Sequence, residues 1–399
     1  MKRIYMDHSA TTPVRIEAAT AAMECMTAKY GNPSSVHYFG REAKATIDKA
    51  RGQVAALINA QPEEIVFTSG GTEADNIALQ GVAKAYAHKG KHIITTAIEH
   101  HAILNTCAAL AEEGFDITYL PVDEMGLVSV ADVEKAITPQ TILISVMHAN
   151  NEVGTIQPIA EIGQLAKEKG ILMHTDAVQS LGKLPVDVQA MNVDLLSGSG
   201  HKFYAPKGTG FLYVRKGVRL KNIMFGGGQE WKKRSGTENL PGIVGLGVAA
   251  ELASQEMVSE IERISKLRDK LINGIQKRIP HVRLNGHPEK RVATNVNFCY
   301  EFIEGESLLL SLDLKGIAAS SGSACSSGSL EPSHVLIAMG LSHEIAQGSV
   351  RMTLGKDNSE EDIDYVLEVL PPIVERLRAM SPLYNKPSEG KCEECTLKK

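Results

Sequence analysis

Short apolar runs alternate with helical periods along the first part of the chain. Strand-like runs fall at 65–68, 92–96, 118–122, 141–146, 171–176, 194–197 and 210–214, and helical spacing fills several gaps, as at 72–87 and 159–169. The runs lack strict polar alternation, the pattern of strands covered on both faces. Strand and helix in alternation predict an α/β fold with a mainly parallel central sheet. A long helical stretch at 241–279 follows, its second half rich in charge. Beyond it, strands at 292–300, 317–320 and 350–354 mix with helices near 306–313 and 359–380, which predicts a smaller α+β unit. The expected division is a large domain over 15–255, a small domain from 1–14 and 256–384, and a flexible tail over 385–399 that is poor in apolar residues.

Composition narrows the class. Of 399 residues, 43% are hydrophobic and 22% charged, enough to build a substantial core. A net charge of -5 argues against broad attraction to nucleic acid or anionic lipid. No apolar run approaches the roughly 20 residues that span a bilayer. An acid, Asp7, arrives before any signal-peptide core could form, so the chain reads as cytoplasmic. Six cysteines in this length do not make a disulfide framework. Cys25, Cys107 and Cys299 stand alone in structural-looking segments and read as small buried hydrophobes.

Three motifs at strand ends carry the first chemistry. Ser199-Gly200-His201-Lys202 follows an apolar run, where a lysine can point into a crevice beyond the sheet. Partly desolvated, Lys202 could be a neutral nucleophile toward an aldehyde; by position alone it reads as an ordinary exposed loop lysine. His174-Thr175-Asp176 with Gln179 ends another run. Asp176 suits protonation of a pyridine nitrogen, with Gln179 on a ring hydroxyl, although an Asp here could also cap a helix. Thr68-Ser69-Gly70-Gly71-Thr72-Glu73 joins strand to helix, where exposed N–H groups hold phosphate or merely start the helix. It matches neither the mononucleotide P-loop nor the dinucleotide glycine pattern.

In this order, the three motifs resemble the class V aminotransferase-fold enzymes, and within them the cysteine desulfurases of the NifS/IscS type. Further matching stretches are Asp7-His8-Ser9-Ala10-Thr11-Thr12-Pro13, Tyr30-Gly31-Asn32-Pro33-Ser34-Ser35, Glu99-His100 and His148-Ala149-Asn150-Asn151-Glu152. Arg234-Ser235-Gly236-Thr237 and the long segment Ser320-Ser321-Gly322-Ser323-Ala324-Cys325 onward to Ser333 complete them. The resemblance extends to about residue 384. It implies the fold type I architecture of pyridoxal-phosphate transferases and pyridoxal 5'-phosphate as cofactor, with Lys202 forming its Schiff base. It places Asp176 on the ring nitrogen, Gln179 on the ring oxygen and His100 stacked on the ring. Gly71, Thr72, Ser199 and His201 would hold the phosphate, Thr237 would reach in from the second subunit of a homodimer, and Asn151 also lines the cofactor site. Arg351, assisted by Asn151, would bind the carboxylate of L-cysteine. Without the resemblance, His100 reads as a surface histidine, and Arg351 could equally be a surface ion-pair partner.

Cys325 lies in a run of Ser, Gly and Ala that cannot pack itself, so composition predicts a flexible loop over 320–333 and an accessible thiol. The resemblance implies that Cys325 takes sulfur as a persulfide, delivers it to an acceptor such as an iron–sulfur scaffold, and can ligate a cluster in transfer. The loop is longer than in relatives that work with selenocysteine. Cys392 and Cys395 supply half of a tetrahedral metal site, a persulfide relay, or a tail with no role. No other metal site is expected. One departure is Gly198, where a bulky residue is expected between two serines; its absence predicts looser packing behind the cofactor. A class V aminotransferase and a non-catalytic sulfur-assembly scaffold are the competing readings. Lys202, Asp176, His100 and Cys325 together argue against the scaffold.

Overall fold

The computed structural model describes residues 3–322, 331–382 and 384; Cys325, Cys392 and Cys395 lie outside these. The chain opens with β1 (Ile4–Tyr5), α1 (Ile16–Thr27) and α2 (Tyr38–Leu57). The sheet series follows as β2 (Ile65–Thr68), β3 (His92–Thr96), β4 (Asp116–Leu120), β5 (Thr141–Ser145), β6 (Leu172–Asp176), β7 (Leu195–Ser199) and β8 (Gly210–Val214). Helices α3 (Gly71–Tyr86), α4 (His101–Glu112), α5 (Val130–Ala136) and α6 (Ile159–Lys169) fall between these strands. The rest is α7 (Leu240–Arg278), β9 (Val282–Leu284), β10 (Asn295–Tyr300), α8 (Gly305–Asp313), β11 (Ile317–Ala318), α9 (His334–Ala338), α10 (His343–Gln347), β12 (Ser349–Thr353) and α11 (Glu360–Met380).

The seven-stranded sheet has the order β2-β8-β7-β6-β5-β3-β4. Its neighbours run parallel except β8, which is antiparallel to both β2 and β7. The expected α/β class and mainly parallel sheet are therefore present. The exception has a simple cause: no α-helix lies between β7 and β8, and a parallel crossover needs about a dozen residues or more. β4 starts earlier than its apolar run suggested and stops before Pro121, which has no N–H to offer a ladder.

Helices from both faces bury the sheet in two large hydrophobic clusters, one including Ile47, Phe67, Leu196 and Phe211, the other Ile77, Ile93, Leu143 and Leu212. A separate cluster joins the antiparallel sheet β12-β10-β9 to α8 and α11, with Phe298, Leu308, Met352 and Leu370 at its centre. α7 serves both regions: Ile243 and Leu246 pack against the large sheet, Leu271 and Ile275 against the small one. Its start is fixed by Asn239, whose side chain accepts from Gly242 N–H, with Pro241 in the first turn. Parallel pairing of β1 with β11 ties the N-terminal segment to the second region. Among the described residues no helix is long and apolar enough to cross a membrane.

Candidate active site

The start of α3, the end of β6 and the end of β7 meet at one place. A Cβ added to Gly71 would lie 2.7 Å from Val178 Cγ2 and 3.6 Å from Ser199 Cβ, so only glycine lets the helix start this close. Gly71, the first residue of α3, thus stands beside Ser199. Directly after β7, the short 3-10 turn Gly200–Lys202 carries the lysine. Lys202 Nζ donates to the carbonyls of Ser9 at 2.6 Å and Ala10 at 2.8 Å. Gln179 Nε2 donates to that same Ser9 oxygen at 3.0 Å. His201 Nδ1 lies 3.2 Å from Thr11 Oγ1. The segment between β1 and α1 therefore forms a wall of the site.

Electrostatics converge on Lys202. Asp176 closes β6, is buried, and accepts from Val178 N–H at 2.8 Å. Burial pushes its carboxyl up to about 6, against the pull of the Val178 N–H and the Lys202 charge. His100 caps α4, its Nδ1 accepting from Ala102 N–H at 3.1 Å. That acceptor role puts the ring proton on Nε2. Burial first, then the Lys202 charge, lowers the imidazole to about 4, so it is neutral at physiological pH. His201 is lowered to about 4 by the same two causes.

Behind Asp176 lies a second layer. Asp75 of α3 is fully enclosed and held well above the ordinary carboxylate range, by burial and then by the charge of Asp176. His174 bonds Ser145 Oγ at 2.8 Å and Ser197 Oγ at 3.0 Å, and its Nε2 lies 3.7 Å from Asp75 Oδ1. Burial lowers His174 to about 3, so the imidazole beside Asp75 is in its neutral form. Gly198 is not a soft spot. A Cβ there would meet Phe211 at 2.5 Å and Leu181 at 2.7 Å, so the ring of the facing strand fills the space where looser packing was expected.

Arg351 in β12 is buried. It donates to the Asn151 carbonyl at 2.8 Å, to Ser320 Oγ at 2.8 Å and to Asp7 Oδ1 at 3.1 Å. This ion pair is internal rather than on the surface. Ser320 Oγ also donates to Asp7 at 2.8 Å, and Ser333 Oγ donates to the buried Glu152 carboxylate. Both flanks of the 320–333 segment are thereby anchored, while Cys325 itself lies outside the described residues. Thr237 is exposed in the stretch before α7; nearby Arg234 pairs with Glu73 of α3 at 2.8 Å. Cys25, Cys107 and Cys299 are buried, as their settings suggested.

The structure thus brings together Lys202, Asp176, Gln179, His201, Ser199, Gly71 and Thr72, with His100 within reach of the Lys202 charge, and joins Asn151 to Arg351. It leaves Thr237 on the surface. Asp75 and Lys183 carry no motif that marks them in the sequence, and Glu99 is marked only by its place in the Glu99-His100 stretch. The donor set fits a pyridine ring with an anionic substituent: helix N–H groups and a hydroxyl for the anion, a buried carboxylate for a ring nitrogen, and an amine for an aldehyde.

Residues 4–366 match the family described as class V aminotransferases. The chain belongs to that family. Among class V aminotransferases it is 58% identical over 385 residues to a cysteine desulfurase IscS of Methanosarcina thermophila, covering 96% of this chain and 95% of the relative. It is 56% identical over 395 residues to the cysteine desulfurase IscS of Clostridium botulinum, 98% and 100% of the two chains. A solved NifS-like protein superposes with a TM-score of 0.89 at 40% identity, covering 94% of this chain and all of the other. Another solved relative, SspA in complex with cysteine, gives 0.78 at 39% identity, with 88% and 99% covered. The chain therefore sits in the cysteine desulfurase branch of the class V aminotransferases, a family that depends on pyridoxal phosphate.

Proposed function

We propose that this chain is a pyridoxal-phosphate-dependent cysteine desulfurase. It converts L-cysteine to L-alanine, leaves the sulfur as a persulfide on Cys325, and passes it to an acceptor protein for iron–sulfur cluster assembly or another thiolation pathway. The carrying observation is the convergence of Lys202, Asp176 and Gln179 at the start of α3.

In this reading the N–H groups of Gly71 and Thr72, the Ser199 hydroxyl and His201 hold the phosphate. Asp176 partners the ring nitrogen, Gln179 donates to the ring oxygen, and Lys202 binds the aldehyde carbon. When bound, the cofactor supplies an electron sink for the pair left as the substrate α-proton departs. Arg351, with Asn151, grips the substrate carboxylate. Lys202 takes the α-proton. His100, neutral and protonated on Nε2, would stack on the ring once the cofactor is bound and would hold a proton beside it. The Cys325 thiolate attacks the substrate sulfur; the sulfur–carbon bond breaks, and the β-carbon keeps its pair and is protonated, giving alanine.

Thr237 of a second copy completes the phosphate site, so the working form is a homodimer in the cytoplasm. Exposed Val36, Tyr38, Phe39 and Phe225 leave apolar surface of the kind such an interface covers. Neither membrane nor nucleic acid is a partner.

Mass spectrometry after incubation with cysteine tests the reading. An added sulfur on Cys325, absent in Cys325→Ser, is expected together with free alanine. Alanine formed at an unchanged rate by the variant would move the sulfur acceptor elsewhere. Failure of borohydride to trap cofactor on Lys202 would defeat the pyridoxal assignment.

A further inference from the structure

Lys183 is four residues beyond Gln179 and points back at it: its Nζ donates to Gln179 Oε1 at 3.0 Å. The lysine is buried, and this is its one side-chain hydrogen bond given among the described residues. Burial, then the charges of Lys202 and Arg351, push its amine down to about 7, so holding an ammonium here is costly.

The two ends of a glutamine amide have nearly the same shape and opposite chemistry, and their orientation is set by their partners. The Lys183 amine donates to Oε1, and in its charged form it can only donate. Lys183 therefore selects Oε1 and turns Nε2 away from itself, toward the Ser9 carbonyl that also accepts from Lys202. Nε2 carries two hydrogens; Ser9 takes one. We infer that Lys183 is a positioning residue that locks the Gln179 amide so that the site is offered an N–H donor and recognises an electron-rich oxygen on its ligand. The inference rests on the pyridoxal reading, in which that oxygen is the ring hydroxyl oxygen. Ser9 alone could not guarantee the lock, because its carbonyl is shared with Lys202 and that sharing changes whenever Lys202 moves.

Titration of apoprotein with pyridoxal phosphate, followed by cofactor absorbance, tests this in a double-mutant cycle. Lys183→Met should weaken cofactor binding about tenfold, the effect of losing one hydrogen bond to a charged oxygen, and shift the pH midpoint of the bound cofactor's spectrum. Lys183→Arg, which keeps the donor, should recover most of the affinity. In a Gln179→Leu background, Lys183→Met should add nothing further. Equal effects in both backgrounds, or no effect in wild type, overturn the inference. Neutron diffraction of the wild-type holoenzyme reads the same point without any variant: deuterium on the Gln179 atom facing Lys183 overturns it. If wild type traps no cofactor on Lys202, the pyridoxal reading falls and takes the inference with it; trapped cofactor with additive variants sinks the inference alone.

Discussion

Arg351 donates to Asp7 across 3.1 Å, with only 3% of the arginine side chain exposed, so the group assigned to the substrate carboxylate already has an acid beside it. The pair joins β12 to the N-terminal segment and, through Ser320, to the base of the segment that bears Cys325. An incoming carboxylate has to share this guanidinium with Asp7. Planar, two-point geometry is what lets one side chain serve both acids, and lysine lacks it. Arg351→Lys should raise KM for cysteine about 10- to 100-fold, the loss of one charged hydrogen bond. Effects on kcat should be smaller, because the carboxylate is held equally before and during reaction. Steady-state alanine formation checks both numbers. A fall in kcat with KM unchanged would show that Arg351 does not bind substrate.

His100 should titrate far below an ordinary imidazole. Burial and the Lys202 charge both disfavour its cationic form, in that order, and set it near 4. Two-bond proton–nitrogen correlation on labelled protein should show Nε2 protonated and Nδ1 bare from pH 8 down to about 5. Lys202→Ala should raise the midpoint only part of the way toward 6.5, since burial is the larger cause. A wild-type midpoint between 6 and 7 would mean that water reaches the ring freely.

The parts of the fold visible in the sequence were those governed by local pattern. Lys202, Asp176 and Gly71 each follow an apolar run, so strand ends and motifs announced themselves together. Direction was not visible in β8, since a strand buried on both faces has the same pattern either way. β9 was missed because three half-buried residues carry no period. Nothing in the local sequence singles out Lys183 or Asp75, and Glu99 stands out only as the neighbour of His100, because the burial of all three comes from elements distant in sequence. Gly198 was misjudged for a related reason. Its facing residue, Phe211, is set by the β7–β8 register, which composition does not reveal.

That register yields a prediction. Gly198→Ala places a methyl 2.5 Å from the Phe211 ring and 2.7 Å from Leu181, in a layer without room. Overpacking of this kind costs about 1–3 kcal/mol. Phe211→Leu, which removes the ring, should destabilise the parent but restore part of the loss in Gly198→Ala. Urea unfolding of the four chains measures the coupling. Simple additivity would show that the ring is not the obstacle.

Glu99 sets a pH dependence whose sign can be worked out. Its Oε1 accepts from Thr96 Oγ1 at 2.7 Å and Met147 N–H at 3.0 Å, while Oε2 is buried with no hydrogen-bond partner among the described residues. Burial raises the carboxyl to about 8, against those two hydrogen bonds. The folded chain therefore keeps a proton that the unfolded chain gives up near 4.5. Between these values the folded state binds more protons, so this contribution is full below about 4.5 and is lost as pH rises to about 8. Glu99→Gln keeps the acceptor for Thr96 and Met147 and cannot ionise. Its melting temperature relative to wild type should climb from pH 4.5 to 8 and level off above. Because every histidine is shared by the two chains, their acid titrations cancel in the difference. A difference that stays flat over this range would show that Glu99 is already ionised in the folded protein, and would require a cation or water beside Oε2.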